Sequence, residues 1–236
     1  MPSQNNTQQC RWHAFDTVGE LEQAATRAVL DAARQAINQR GAFHIVLTGG
    51  RTPRRLYEML REAHTDWAAW HVYFGDERCL PPTHEERNSH MANLAWLDHA
   101  AIPRQQIYPI PAELGAEAAA SVYAQTLQTV ALFDLVLLGL GEDGHVASLF
   151  PGHDLGDTPD APTVIAVHGA PKPPPDRVSL SARRLSAAHQ IMFLVTGEAK
   201  QQAIKNWRTG VTIPALAITP TSGVDVYLEA GLLTDY

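Results

Sequence analysis

The stretch that most constrains the fold is Phe133 to Gly152, FDLVLLGLGEDGHVASLFPG. Its first half carries an unbroken apolar run, Leu135 to Leu138. A run of that length, flanked by a charge and by glycines, suits a strand buried on both faces of a parallel sheet. The character then changes abruptly. Gly139 and Gly141 bracket Leu140, Glu142 and Asp143 follow, and Gly144 precedes His145. A carboxylate and an imidazole therefore stand two residues apart, just beyond the carboxyl end of a buried strand. In open α/β sheets ligands bind along that edge.

The same grammar recurs along the chain. AFHIVL, 42–47, runs into Thr48-Gly49-Gly50-Arg51-Thr52-Pro53 and then a helical segment. Two glycines let a backbone approach a ligand, and free amides at a helix start favour an anion. Pro53 suits the first helical turn. WHVYF, 70–74, ends in Gly75-Asp76-Glu77-Arg78, and QIMFLVT, 190–196, ends in Gly197-Glu198-Ala199-Lys200. Lys200 would sit in a first helical turn, where the helix dipole disfavours a cation unless an anion lies beside it. Further strand candidates are a short piece near 106–109, then 163–167, and two pieces in the last twenty-odd residues, of which VDVYL reads as an edge.

Helices fill the intervals. Thr17 and Glu20 form a capping-box pattern, apolar residues follow at helical spacing to Ile37, and Gly41 stands where a left-handed cap would end the helix. Strands alternating with helices predict an α/β fold: a single domain over 1–236, with a mostly parallel Rossmann-like sheet and helices on both faces. Residues 1–12 read as a flexible lead-in.

Composition narrows the function. A net charge of −7 argues against a general binder of nucleic acid or anionic membrane. It leaves room for a small anion held by a local basic cluster. Two isolated cysteines, Cys10 and Cys79, give neither a disulfide framework nor zinc spacing. No apolar stretch approaches the length of a membrane span. The expectation is a soluble, cytoplasmic, monomeric protein with a small-molecule partner and no nucleic acid, membrane, metal or cofactor.

If the strands are parallel, four polar strand ends share one edge. One set of groups there suits phosphate binding: Gly49, Gly50, Arg177 and Lys200, joined by Arg51 and by Lys172. The last lies with Arg177 on the stiff proline-rich arm APKPPPDR, 170–177. A second set suits chemistry: Asp76, Arg78, Asp143 and His145. Histidine titrates near neutrality and is the natural general base. Either aspartate would orient it, and Arg78 would face a developing oxyanion. Gly139-x-Gly141-x-x-Gly144 matches the dinucleotide pattern, but no long helix follows and Asp-Gly-His interrupts the turn. Ser148 lacks a nucleophile elbow. A serine nucleophile is the minor alternative.

These segments also carry a family resemblance. TGGRTP, GDERCLPPTHEERNSH, FDLVLLGLGEDGHVASLFPG, APKPPPDRVSL and FLVTGEAKQQAI resemble, in order, the signature blocks of 6-phosphogluconolactonases. The resemblance implies hydrolysis of 6-phospho-D-glucono-1,5-lactone to 6-phosphogluconate, the second step of the oxidative pentose phosphate pathway, without metal or organic cofactor. It also implies that the Gly49-Gly50 turn, Arg177 and Lys200 contact phosphate and that His145 is the base. The related glucosamine-6-phosphate deaminases typically have Asp-Glu-Tyr at 76–78 and a glutamate near Phe150, so Arg78 and Phe150 side with the lactonases. One departure is Arg51, where the lactonases usually have serine; an arginine there either adds a phosphate contact or faces solvent.

Overall fold

A computed structural model describes residues 8–234. The first strand, β1 (Cys10–Phe15), leads into α1 (Val18–Arg40), β2 (Phe43–Leu47), α2 (Arg51–Leu60), β3 (Trp70–Phe74) and β4 (Asp76–Arg78). Next come α3 (Asn88–Ala92), which continues as a π-helical turn to Leu97, then β5 (Ile107–Tyr108), α4 (Ala116–Thr126) and β6 (Phe133–Gly139). The chain finishes with β7 (Val164–Val167), β8 (Arg177–Leu180), α5 (Ala182–Ser186), β9 (Ala188–Val195), α6 (Gln201–Arg208) and β10 (Val224–Glu229).

Seven of these strands form one sheet in the order β1-β10-β9-β6-β2-β3-β5, and every pairing in it is parallel. The strand order runs outward from β2 through β3 to β5, and in the other direction from β6 through β9 to β10. The direction of winding therefore reverses between β2 and β6, the topological switch point of the sheet. Six of the seven residues of β6 are buried, as a central parallel strand requires.

Helices cover both faces. On one, α1 and α2 pack together, and Trp96 stacks near Tyr57 and meets Trp70 edge-on. On the other, α4 lies against a small antiparallel sheet, β4-β8-β7. The expected α1 caps are both present: Thr17 and Glu20 bond reciprocally, and Gly41 adopts φ 78.

Three expectations require correction. Residues 1–7 lie outside the described residues, but the supposed lead-in ends early, because Cys10 to Trp12 already belong to β1. β1 takes the sheet edge, so VDVYL is interior, between β1 and β9. Only one strand forms in the last segment; Pro214–Ala217 is a 3-10 turn.

The charged triplet 76–78 is a strand, and its middle residue is an anchor. Glu77 is fully buried. One of its carboxylate oxygens accepts from the Arg78 and Asn88 amides, and the other accepts from the Ser89 amide and hydroxyl. A negative charge is thereby placed at the start of α3, where unsatisfied amides favour it. Arg87, also buried, lies 3.1 Å from Glu77. Removing one member of a buried ion pair strands the other. Glu77→Ala is expected to lower the unfolding free energy by about 3 kcal/mol, read as a reduced urea midpoint at unchanged slope. Asp31→Ala, which breaks the exposed Asp31–Arg34 pair, is expected to change it by less than about 0.5 kcal/mol.

Candidate active site

Because β9, β6, β2 and β3 are neighbours and parallel, the segments that leave their carboxyl ends converge. They enclose a cavity of about 330 Å³ at the switch point. Thr48, Gly49 and Gly50 come from the end of β2, Asp76 and Arg78 from β4 just past β3, and Gly139 to Gly141, His145, Ala147 and Phe150 from the end of β6. Lys172, Pro173 and Arg177 enter from the proline-rich arm, and Lys200 from the end of β9.

The turn after β2 needs both its glycines, for different reasons. A Cβ on Gly49 would lie 2.0 Å from Asn88 Oδ1. Gly50 adopts φ 109, a conformation that side chains resist. No side chain caps α2, so its first amides stay available to an anion. The Arg51 side chain is exposed and does not line the cavity. Its backbone, at the start of α2, belongs to the turn.

The Asp-Gly-His segment folds back on itself. Gly141 N donates to His145 O at 2.8 Å, and Gly144 N donates to Gly141 O at 3.1 Å. Asp143 stands behind His145: its Oδ1 lies 2.5 Å from Nδ1 and also accepts the His145 amide. With Nδ1–H given to the carboxylate, Nε2 carries the free lone pair. Burial pushes the imidazole below its ordinary value of 6.5, and the neighbouring Asp143 only partly restores it. Burial also raises the Asp143 carboxyl, but the bonds from His145 outweigh this and hold it below its usual range. The imidazole is thus neutral, and its partner ionised, at neutral pH.

Cations dominate the rest of the lining. Arg78, Lys172, Arg177 and Lys200 face Asp76 and Glu86, a local excess of positive charge in a chain of net −7. Arg78 and Arg177 are register partners across β4 and β8. Arg177 uses Nε and Nη2 to hold the carbonyls of Lys172, Pro173 and Pro174. It therefore fixes the arm that carries Lys172, while Nη1 keeps its donors. Arg78 donates Nη1 to Glu86 O, and its Nε is buried without a hydrogen-bond partner. Burial pushes the Lys200 ammonium below its ordinary 10.5, offset in part by Glu142 and Asp143.

Two residues hold Asp76 in a way the sequence did not signal. Ser148 donates to Asp76 Oδ2 at 2.6 Å, and Asn88 Nδ2 donates to Oδ1 at 3.0 Å. The first contact spans 72 residues of chain and the second 12, which periodicity does not reveal. The Ser148 hydroxyl is buried and engaged with Asp76, so the serine-nucleophile alternative finds no support. Ala147, between His145 and Ser148, adopts φ 49, a left-handed backbone of the kind that clusters at functional sites.

An open α/β sheet with a glycine turn, four cations and a carboxylate-paired histidine at its switch point suits the enzymes of small anionic substrates. The model of one such family, glucosamine-6-phosphate isomerases/6-phosphogluconolactonase, matches residues 16–227. The chain is 38% identical over 203 residues to a 6-phosphogluconolactonase of Streptomyces coelicolor, covering 78% of this chain and 77% of that one. It is 33% identical over 219 residues to one of Mycobacterium leprae, covering 87% and 88%. The fold matches that of a Thermotoga maritima 6-phosphogluconolactonase with TM-score 0.87, at 24% identity over 94% of this chain and 100% of that one. The chain belongs to the glucosamine-6-phosphate isomerase/6-phosphogluconolactonase family. Within it, the chain groups with the 6-phosphogluconolactonases, as these relatives are all so named.

A methyl group on Gly141 would fall 2.0 Å from His145 Nδ1 and 2.6 Å from Asp143 Oδ1. Gly141→Ala is expected to cost about 100-fold in kcat/KM through displacement of that pair, with little change in Tm. Steady-state kinetics beside a thermal melt check this.

Proposed function

We propose that this enzyme hydrolyses 6-phospho-D-glucono-1,5-lactone, with His145 as general base. The observation that carries the proposal is the Asp143–His145 pair, bonded at 2.5 Å, on the wall of a cavity otherwise rich in cations. The names of the relatives supply the substrate class. Phe150 packs 4.8 Å from the His145 ring and brings no second carboxylate to it, which favours lactone hydrolysis over amino-sugar isomerisation.

The substrate phosphate is held by the Gly49-Gly50 turn, Arg177 Nη1, Lys200 and Lys172. Binding at that remote group positions the reacting carbonyl. His145 Nε2 takes a proton from water, and the resulting hydroxide attacks C1. The carbonyl oxygen gains the charge and is met by Arg78. Collapse breaks the bond from C1 to the ring oxygen, which leaves with the proton from Nε2. The products are the open-chain hydroxyl and a carboxylic acid that ionises. Asp143 orients the imidazole and stabilises its cation during the cycle. Asp76, held by Ser148 and Asn88, accepts a hydrogen bond from a hydroxyl of the sugar.

His145→Ala is expected to lower kcat by roughly 10²–10⁴-fold, after subtraction of spontaneous hydrolysis, while 6-phosphogluconate still binds by calorimetry. Near-normal turnover in that variant sinks the assignment. Lys200→Ala and Arg177→Ala are expected chiefly to raise KM; an unchanged KM removes them from the phosphate set.

The acid limb of the rate profile reports His145. The base is active when deprotonated, and its pKa is depressed from 6.5. Activity should therefore be full at neutral pH and fall only as pH drops through a value below 6.5. Asp143 raises that pKa, so Asp143→Asn should move the limb to still lower pH while reducing kcat. A limb that stays in place excludes Asp143 as the partner that matters.

A further inference from the structure

The cavity exists because β2 and β6 part company, and the parting leaves backbone groups to be satisfied. β2 and β6 are paired only at Ile45 with Leu135 and Val46 with Val136. On the other side of β2, Leu47 O accepts from Gly75 N at 2.9 Å. The groups of the next residue, Thr48, therefore point the opposite way, towards β6. No strand meets them there. Instead the Tyr57 hydroxyl occupies the gap, accepting from Thr48 N at 3.1 Å and donating to Thr48 O at 2.9 Å. Tyr57 is fully buried, stacks near Trp96, and reaches this point from α2, the helix that follows the turn.

The geometry points to Tyr57 as a positioning residue: its hydroxyl holds the split between β2 and β6 open and sets the Thr48–Gly50 turn against the ligand. This rests on the reading of that turn as part of the phosphate site. A buried N–H and C=O that lose their only partner must find others. The partners within reach lie along β6, and Thr48 would carry Gly49 and Gly50 with it. The ligand-facing amides would then be misaimed, although Tyr57 itself touches no substrate.

The chain contains its own control. Tyr123, from α4 on the opposite face, makes the same double contact with Phe74, at 2.9 Å and 3.3 Å. The segment after Phe74 has independent support: Leu180 N donates to Gly75 O, and β4 pairs with β8. Among the described residues, no such backbone bond ties the Thr48–Gly50 turn to another strand; the nearest further contact is Thr52 Oγ1, 2.7 Å from Thr196 Oγ1, in the first turn of α2. Loss of either hydroxyl removes the same chemistry, but only loss of the Tyr57 hydroxyl should reach the ligand.

The test compares Tyr57→Phe and Tyr123→Phe with the parent enzyme, using lactone hydrolysis and competitive inhibition by inorganic phosphate. Tyr57→Phe is expected to raise KM and the phosphate inhibition constant about tenfold, with kcat per folded chain within about twofold. Tyr123→Phe should leave both affinities unchanged. An unchanged KM in Tyr57→Phe, or equal shifts in the two variants, overturns the proposal. Hydrogen exchange on the parent enzyme serves if a variant fails to fold. The Thr48 amide should be as protected as those of β2, and exchange as fast as that of Gly49 overturns the proposal equally. Absence of lactone turnover in the parent would instead refute the proposed function, leaving the exchange arm to judge Tyr57.

Discussion

All seven strands of the main sheet run in one direction, and the site depends on that constraint. Parallel strands deliver every following segment to one edge. Four segments from distant parts of the chain thus meet without any contact that must first bring them together. The meeting point is set by the reversal of winding between β2 and β6. The strands beside it are apolar and buried on both faces, so the sheet that carries the polar groups is itself hard to deform.

Two kinds of support hold the polar groups in place. The Asp143–His145 pair is local: two residues, one tight turn, and a glycine at 141 whose missing side chain leaves the space that the pair occupies. The remainder is held at a distance. Glu77 ties β4 to α3, Ser148 and Asn88 fix Asp76, and Arg177 pins three successive carbonyls of the proline-rich arm. These contacts satisfy buried polar groups that would otherwise weaken the fold, and in doing so they aim the side chains that reach the cavity.

Legibility in the sequence followed the same division. The buried strands were readable because continuous apolar runs have few other uses, and the Asp-Gly-His turn was readable because its parts are contiguous. β1 was not. CRWHAF mixes Arg11 and His13 with apolar residues, as an edge strand does, and it forms only by pairing with β10 more than two hundred residues away. Of the small β4-β8-β7 sheet only β7 was expected, as 163–167; β4 and β8 escaped notice for a related reason, since a three-residue strand such as Asp76–Arg78 has no periodicity to detect. Glu77 had no role of its own in the sequence reading, and only the fold shows the four donors around it. For Arg51 the sequence left a phosphate contact and exposure to solvent both open, and the structure shows an exposed side chain outside the cavity lining.

The cation excess of the cavity bears on how a catalytic cycle ends. Opening a lactone converts a neutral ester into a carboxylate, so the product leaves with one more negative charge than the substrate brought. In the proposed reaction the four cations of the lining therefore attract the product more strongly than the substrate. Turnover in such a site is a compromise between capture and release. Salt, by screening both, would slow the first and speed the second.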